Sequence, residues 1–188
     1  LLYNYALVFN EVYHRSGITP CPEDCYKCNI KFHIVKPFVF GYNNGMLPEI
    51  RLLKILRQKR LTLAIAESCT GGLLSNRITN IPGSSRAFLL GTVTYSNDSK
   101  HKVLHVPPKL IQTKGTVSSG VVKAMAEGIR TLAQASFGIA ITGIAGPDGG
   151  TKAKPVGTVF IGLSSNKKTF VSKFNFSGNR LEIKRKST

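Results

Sequence analysis

The fold is decided by residues 61–72, which read LTLAIAESCTGG. Residues 61–66 are a short apolar run of strand length, and helix-like sequence follows the two glycines at residues 73–79. The stretch therefore predicts a strand, a tight turn and a helix. Such a turn exposes the hydroxyl of Ser68 at an edge of the sheet, where hydrolases with a strand–turn–helix elbow carry a nucleophile. The alternative interpretation is a serine that only caps the helix before two turn-forming glycines.

The sequence on either side of this unit alternates between helix-like and strand-like patterns. Residues 48–60 predict an amphipathic helix with Pro48 in its first turn. Strands separated by helices predict a layered α/β fold. The further predicted strands are 88–94, 138–142, 156–163 and an edge-like 168–176. Three further helices are predicted. The first runs from a cap at Asn97 or Asp98 to about residue 104, and Pro107 and Pro108 stop it. The second runs from a Ser118 cap to residue 133, and the third begins at about residue 178.

Composition limits the classes of protein to be considered. With 188 residues, 42% hydrophobic and 19% charged, the chain has room for one compact domain and is not a disordered tail. Its net charge of +17 favours an anionic partner such as a phosphate, a nucleic acid or an anionic lipid. No apolar run is long enough to predict a membrane helix, and residues 1–10 lack the pattern of a signal peptide. Four cysteines do not suggest a disulfide framework, so we expect a cytoplasmic protein.

The charge divides the chain near residue 46. Residues 1–45 hold four basic and three acidic side chains, so +16 of the net charge lies in residues 46–188. We interpret 1–45 as an N-terminal extension of uncertain structure and 46–188 as the functional domain. Cysteines with C-x3-C-x2-C spacing and a nearby histidine could form a zinc or iron–sulfur site in the extension. Radical enzymes hold an iron–sulfur cluster with this spacing, but the extension is too short to form the barrel domain that they need. Free thiols are therefore the preferred interpretation. These residues are Cys21, Cys25, Cys28 and His33.

A serine nucleophile needs a base, and Lys100 is placed to supply one. It lies one helical turn beyond the predicted strand that ends near Tyr95 and Asn97, and ligands of open α/β sheets bind at the carboxyl ends of strands. A desolvated lysine can act as the neutral base. A histidine base, His101 or His105, stays open as an alternative, although no carboxylate is evident to orient it.

A third motif, the glycine-rich TGIAGPDGG at residues 142–150, follows a buried strand and offers free backbone N–H groups to an anion. With the other motifs it resembles the CinA carboxy-terminal domain family, whose enzymatic members are nicotinamide-nucleotide amidohydrolases. The resemblance covers about residues 47–188, in order and at family spacing. The motifs that carry it are AESCTGG (66–72), GTVTYSN (91–97) with Lys100, GTVS (115–118), MAEG (125–128), TGIAGPDGG (142–150) and KPVGTV (154–159).

The resemblance implies a layered α/β/α sandwich with a mixed sheet, and hydrolysis of nicotinamide mononucleotide to nicotinate mononucleotide and ammonia without metal or cofactor. On the matching positions, Ser68 is the nucleophile, Lys100 is the base, and Tyr95 assists the proton relay or orients Lys100. Cys69 ranks below Ser68, because adjacent side chains in an extended turn point apart. Our physical inference adds amides around residues 70–72 as donors to the oxyanion, and a loop that lines the nucleotide pocket. The expected substrate-binding residues are Thr70, Gly71, Gly72, Asn97, Thr142, Gly143, Ala145, Gly146 and Arg180.

Some positions depart from the family pattern. Ser119 and Gly120 stand where acidic residues are usual, and Asn179 stands where aspartate is common. The family's final helix continues past the position of Thr188, so we expect this helix to be truncated. Arg180 is a candidate ligand for the substrate's phosphate, which arginine can bind through two hydrogen bonds.

Two other classes of function are weighed against the amidohydrolase. A nucleic-acid-binding module would explain the charge, but the lysines are scattered without interleaved aromatic residues, which argues against a nucleic-acid partner. A folded, non-catalytic relative is the second alternative. The partners we expect are a small phosphorylated nucleotide as substrate and further copies of the chain in a homo-oligomer, and not a membrane.

Overall fold

The computed structural model describes residues 47–188. The N-terminal extension, with the possible metal site at Cys21, Cys25, Cys28 and His33, lies outside the described residues. The helices are α1 (Pro48–Gln58), α2 (Leu73–Thr79), α3 (Asn97–Leu104), α4 (Pro108–Lys114), α5 (Ser119–Leu132) and α6 (Arg180–Lys186), with a 3-10 turn at Ser84–Arg86. The strands are β1 (Leu63–Glu67), β2 (Phe88–Val93), β3 (Phe137–Gly143), β4 (Thr158–Ser164) and β5 (Thr169–Asn175).

The five strands form one mixed sheet in the order β2-β1-β3-β4-β5. Strand β1 is parallel to both of its neighbours, whereas β4 and β5 extend the sheet in antiparallel fashion. At the carboxyl end of β1, Glu67 lies beside Val93 of β2 and Ile141 of β3. The carboxyl ends of three strands therefore meet at one edge of the sheet, next to Ser68.

Helices cover both faces of the sheet, because the side chains of β1 are buried on both. Leu63 and Ile65 belong to a core with α1, α2 and α6, in which Ile183 anchors α6. Ala64 and Ala66 belong to a second core with α3, α4 and α5. Full burial of one leucine or isoleucine side chain stabilises the fold by about 1.5–3 kcal/mol. The predicted α/β/α sandwich with a mixed sheet is confirmed.

Two helix starts differ from the sequence-based prediction. Helix α3 is capped by Ser96, whose Oγ accepts the N–H of Ser99 at 3.0 Å, and not by Asn97 or Asp98. Helix α4 was not predicted, because Pro107 and Pro108 were interpreted as a stop. Pro108 instead opens α4 at a position where the missing N–H costs nothing.

The cap of α5 follows the prediction, whereas the sequence analysis names no cap for α6. Ser118 caps α5 by accepting the N–H of Val121 at 3.4 Å. Helix α6 starts with a capping box, in which Asn179 and Glu182 each accept the backbone N–H of the other. Asn179 is thus the cap of α6.

Helices α3 and α5 touch through their backbones. A Cβ atom on Gly128 of α5 would lie 2.1 Å from the carbonyl oxygen of Leu104, the last residue of α3. Position 128 therefore requires glycine for this spacing of the two helices. Helix α3 also carries Lys100, so the contact helps to set the depth of that residue.

A search of residues 47–188 for a helix long and apolar enough to cross a membrane finds none.

Candidate active site

The structure brings Ser68 and Lys100 together. Ser68 is the first residue after β1, where its N–H donates to the carbonyl of Ile141 at 3.0 Å. Lys100 is in the first turn of α3, which follows the neighbouring strand β2. Because the two strands are parallel and adjacent, Lys100 Nζ reaches Ser68 Oγ at 3.1 Å.

Lys100 is fully buried, and its amine has two further partners. Nζ donates to the carbonyl oxygens of Thr94 at 2.6 Å and of Tyr95 at 3.3 Å. A neutral amine can give its two N–H groups to these carbonyls and accept the Ser68 hydroxyl proton on its lone pair, whereas an ammonium gives its third N–H to Ser68. The position of Nζ is thus compatible with both protonation states.

Burial also favours the neutral form of Lys100. Desolvation lowers the pKa of the amine from 10.5 to about 8. No carboxylate offsets this effect: within residues 47–188 the salt bridges are Glu49 with Arg77 and Asp98 with Lys102. About one Lys100 in ten is therefore neutral, and available as a base, at pH 7.

Glu67 is a functional residue that sequence reasoning missed. This last residue of β1 is fully buried, and its carboxylate accepts the N–H groups of Gly72 and Leu74 at 3.1 Å and both the N–H and the hydroxyl of Ser75 at 2.8 Å. A remote carboxylate thus caps α2, whose own N-cap residue is Gly72. The sequence contains a signal for this contact: the helix begins without Ser, Thr, Asp or Asn at its cap, and an acidic residue stands shortly before it.

This cap changes the expectation for the oxyanion donors. The N–H of Gly72 is taken by Glu67, and that of Gly71 donates to the carbonyl of Ser68 at 3.1 Å. Of the three amides considered, only the N–H of Thr70 has no acceptor within residues 47–188. The buried Thr70 hydroxyl has no hydrogen-bond partner in this part of the chain either. Thr70 is therefore the donor that remains available.

Cys69 is a poor competitor of Ser68 as nucleophile. The thiol is buried, and burial raises its pKa from 9.0 to about 11, with a smaller contribution from the charge of Glu67. Because the thiolate is the reactive form of cysteine, Cys69 is almost wholly unreactive at neutral pH. Its sulfur lies against Gly143, where an added Cβ would be 3.1 Å from Sγ.

Tyr95 touches Lys100 through its backbone and not through its phenol. The side chain is 60% exposed, and its hydroxyl accepts a hydrogen bond from Arg180 Nη2 at 2.9 Å. Arg180 Nη1 also donates to the carbonyl of Gly146 at 2.6 Å. The expected phenol relay to Lys100 is thus absent from this arrangement, because the carbonyls of residues 94 and 95 already fill the positions beside the amine.

The remaining residues expected to bind substrate lie at or after the carboxyl ends of β2 and β3. Asn97 Oδ1 accepts the hydroxyl of Thr116 at 2.6 Å, and the buried Thr142 hydroxyl donates to the Thr116 carbonyl at 3.2 Å. Ala145 and Gly146 are buried in the loop after β3, and Gly146 lies beneath Arg180. Thr142 is thus an internal support, whereas exposed Asn97 and Arg180 remain accessible to a ligand.

Comparison with known proteins gives a consistent set of relatives. A family model described as the CinA C-terminal domain matches residues 48–188. A putative competence-damage inducible protein of Caldanaerobacter subterraneus subsp. tengcongensis is 46% identical over 154 residues, which are 82% of this chain and 37% of that protein. A CinA-like protein of Geobacter sp. (strain M21) is 52% identical over 134 residues, 71% of this chain and 32% of that protein. The chain thus spans about a third of the length of the curated relatives it matches.

Solved structures agree with this result. The competence/damage inducible protein CihA from Agrobacterium tumefaciens superposes with a TM-score of 0.71 at 36% identity, over 72% of this chain and 84% of that chain. A CinA superfamily protein from Escherichia coli gives a TM-score of 0.72 at 30% identity, over 74% of this chain and 81% of that chain.

Proposed function

Since the chain belongs to the CinA C-terminal domain family, we propose that it is an amidohydrolase that converts nicotinamide mononucleotide to nicotinate mononucleotide and ammonia. The observation that carries the proposal is the 3.1 Å contact between Ser68 Oγ and the buried amine of Lys100. A serine beside a lysine of lowered pKa is an activated nucleophile with its general base. The substrate class follows from the family resemblance and from the cations near the site.

In the first step, neutral Lys100 accepts the proton of Ser68 Oγ as this oxygen attacks the carboxamide carbon. A tetrahedral oxyanion forms, and we assign its stabilisation to the N–H of Thr70, which lies in the same turn and has no acceptor within residues 47–188. The carbonyls of Thr94 and Tyr95 hold the new ammonium through two hydrogen bonds. The proton thus moves without displacement of Nζ.

In the second step, the Lys100 ammonium gives this proton to the departing amide nitrogen, which leaves as ammonia while an ester forms on Ser68. The neutral amine then accepts a proton from a water molecule as that water attacks the ester carbon. Collapse of the second tetrahedral species breaks the ester bond and returns the proton to Ser68 Oγ. The acid that is released ionises to nicotinate and gives its proton to ammonia or to solvent, and no cofactor is consumed.

The charge of the domain fits a phosphorylated substrate. Arg180 donates two of its N–H groups to the Tyr95 hydroxyl and the Gly146 carbonyl, and other N–H groups of its guanidinium remain for a phosphate. The excess of basic residues in 46–188 would also attract an anionic substrate over a longer range. Such attraction weakens as the salt concentration rises.

The test measures ammonia release from nicotinamide mononucleotide by the wild type and by Ser68→Ala. We expect the variant to lose activity by a factor of about 1,000 or more, as other hydrolases do without their nucleophile. Ser119→Ala is the matched control, since this exposed serine in α5 is outside the site. Full activity of Ser68→Ala would refute its role, and a wild type that releases no ammonia would refute the proposed substrate.

A further inference from the structure

Three buried side-chain oxygens within residues 47–188 have no hydrogen-bond partner in the protein: Glu49 Oε2, Thr70 Oγ1 and Thr94 Oγ1. Buried polar groups of native proteins are nearly always paired, so each of these atoms requires an explanation. Glu49 keeps its ion pair with Arg77 through its other oxygen. Thr70 is the residue whose N–H we assign to the oxyanion. The hydroxyl of Thr94 has no such explanation.

Thr94 lies beside Ser68 on the neighbouring strand. The last paired residues of β1 and β2 are Glu67 and Val93. Ser68 and Thr94 each follow one position later, and the N–H of Thr94 donates to the carbonyl of Glu67 at 2.9 Å, which continues the parallel ladder. Residues in register on adjacent parallel strands are about 5 Å apart and project from the same face of the sheet.

This face of the sheet is the one that carries Lys100. Ala64 and Ala66, four and two residues before Ser68, belong to the core with α3, α4 and α5. Because side chains alternate along a strand, Ser68 continues this row, and Thr94 continues the matching row of β2. Lys100 Nζ lies 3.1 Å from Ser68 Oγ and 2.6 Å from the carbonyl oxygen of Thr94. The unpaired hydroxyl of Thr94 therefore stands next to the nucleophile and its base.

Hydrolysis of the ester on Ser68 needs a well-oriented water molecule. The ester is tethered to the protein, whereas the water is held only by the polar groups that it contacts. One hydrogen of the water goes to the lone pair of the Lys100 amine while its oxygen faces the ester carbon, so the second hydrogen needs an acceptor. The carbonyls of Thr94 and Tyr95 already accept the two N–H groups of the amine. The Thr94 hydroxyl is the neighbouring oxygen that has no partner among the described residues.

We propose that the hydroxyl of Thr94 holds the water that hydrolyses the ester on Ser68, by accepting its second hydrogen. This inference rests on the proposed function. When the ester forms, Ser68 Oγ loses the proton that bonds it to Lys100 Nζ, so the position beside the amine becomes available to the water. Ser68 is 7% exposed, so solvent reaches the pair at this serine.

The attack of this water is balanced without a proton from Thr94. The oxygen of the water bonds to the ester carbon as its first proton passes to Lys100 Nζ. This proton moves on to Ser68 Oγ as the ester bond breaks, and the second hydrogen of the water stays on the acid that is released. Thr94 only accepts a hydrogen bond, which orients the water and stabilises the positive charge that grows on it during the attack.

The test measures the two steps separately in the wild type, Thr94→Val and Thr94→Ser. Rapid-quench assays with nicotinamide mononucleotide count ammonia, which is released as the ester forms, and nicotinate mononucleotide, which is released as the ester is hydrolysed. Thr94→Val keeps the shape of the side chain but removes the acceptor. We expect its ester hydrolysis to slow by about 10- to 100-fold and its ester formation to stay within about threefold. Thr94→Ser should regain most of the rate.

Thr92→Val is the matched control, because Thr92 lies two residues earlier on the same strand. It should leave both steps unchanged. The valine of Thr94→Val replaces a hydroxyl that has no protein partner, so the midpoint of thermal unfolding should stay the same or rise. A lower midpoint together with equal slowing of both steps would show a structural role for Thr94 and overturn the inference.

An ester probe separates this inference from the proposed reaction. p-Nitrophenyl acetate can acetylate Ser68 without any nucleotide, and mass spectrometry then follows the loss of the acetyl group. If the wild type releases no ammonia from the mononucleotide but loses the acetyl group about 10- to 100-fold faster than Thr94→Val, the substrate is refuted and the water site stands. Equal loss of the acetyl group in the two proteins overturns the water site alone. A wild type that is neither acetylated nor active overturns both.

Discussion

Activity should depend on pH through the titration of Lys100. Protonation of this amine removes the lone pair that accepts the Ser68 proton, so kcat/KM for deamidation is expected to fall as the pH is lowered. Burial places the pKa of Lys100 at about 8, and the titration of this amine involves one proton. The profile should therefore show a single acidic limb centred near pH 8.

The size of the effect follows from this pKa. About one Lys100 in ten is neutral at pH 7, about half at pH 8 and about nine in ten at pH 9. The rate constant is thus expected to rise about tenfold between pH 7 and pH 9, and to change about tenfold per pH unit well below pH 8. A lysine that kept the ordinary pKa of 10.5 would supply about 300-fold less neutral amine at pH 7.

The assay measures initial rates of ammonia release at low substrate concentration, from pH 6 to pH 10 at constant ionic strength. The substrate's own phosphate has its second pKa near 6, below most of this range. Lys102→Gln is the matched control, because Lys102 is an exposed lysine on the same helix, paired with Asp98. Its profile should coincide with that of the wild type.

Two outcomes would refute this role of Lys100. A profile that stays flat from pH 6 to pH 10 would show that no group of pKa about 8 acts as the base. A limb near pH 6.5 that is also present with nicotinamide riboside, which has no phosphate, would instead indicate a histidine base. His101 and His105 lie on or next to the same helix. His101 Nδ1 lies 3.1 Å from the carbonyl of Val106, so one of its ring nitrogens is already engaged.

Two further predictions concern the neighbours of Ser68. Glu67→Gln should lower the free energy of unfolding by about 2–4 kcal/mol, because two of its four donors lose their acceptor, and it should also lower kcat as the turn loosens. Glu49→Gln, which breaks the ion pair of the buried Glu49 with the partly exposed Arg77 on α2, should lower stability in denaturant titrations but keep kcat. Equal kcat in the two variants would contradict a positioning role for Glu67. Cys69→Ala should keep deamidation within about threefold, because a thiol of pKa about 11 is protonated at neutral pH. Rapid inactivation of the wild type by iodoacetamide at pH 7 would contradict that view.

The pairing of Ser68 with Lys100 was predictable from the sequence, since each residue follows a strand-like run and the parallel order brings those strand ends together. The contacts that decide between competing partners were not predictable. Glu67 accepts the amide of Gly72, which was expected to serve an oxyanion, and Arg180 donates to the phenol of Tyr95, across 85 residues of sequence. Such outcomes depend on where distant segments meet in space. Local patterns, which predicted most helices and strands, do not contain that information.

The contact between Gly128 and the carbonyl of Leu104 has a consequence for the chemistry. Helix α3 packs against α5 at one end and carries the amine of Lys100 in its first turn. A larger residue at position 128 would push the two helices apart and admit water to Lys100. The amine would then hold its proton more tightly, and the pH range in which it is neutral would move to more alkaline values. The spacing of two helices, set by a residue remote from Ser68, thus tunes the basicity of the proposed base.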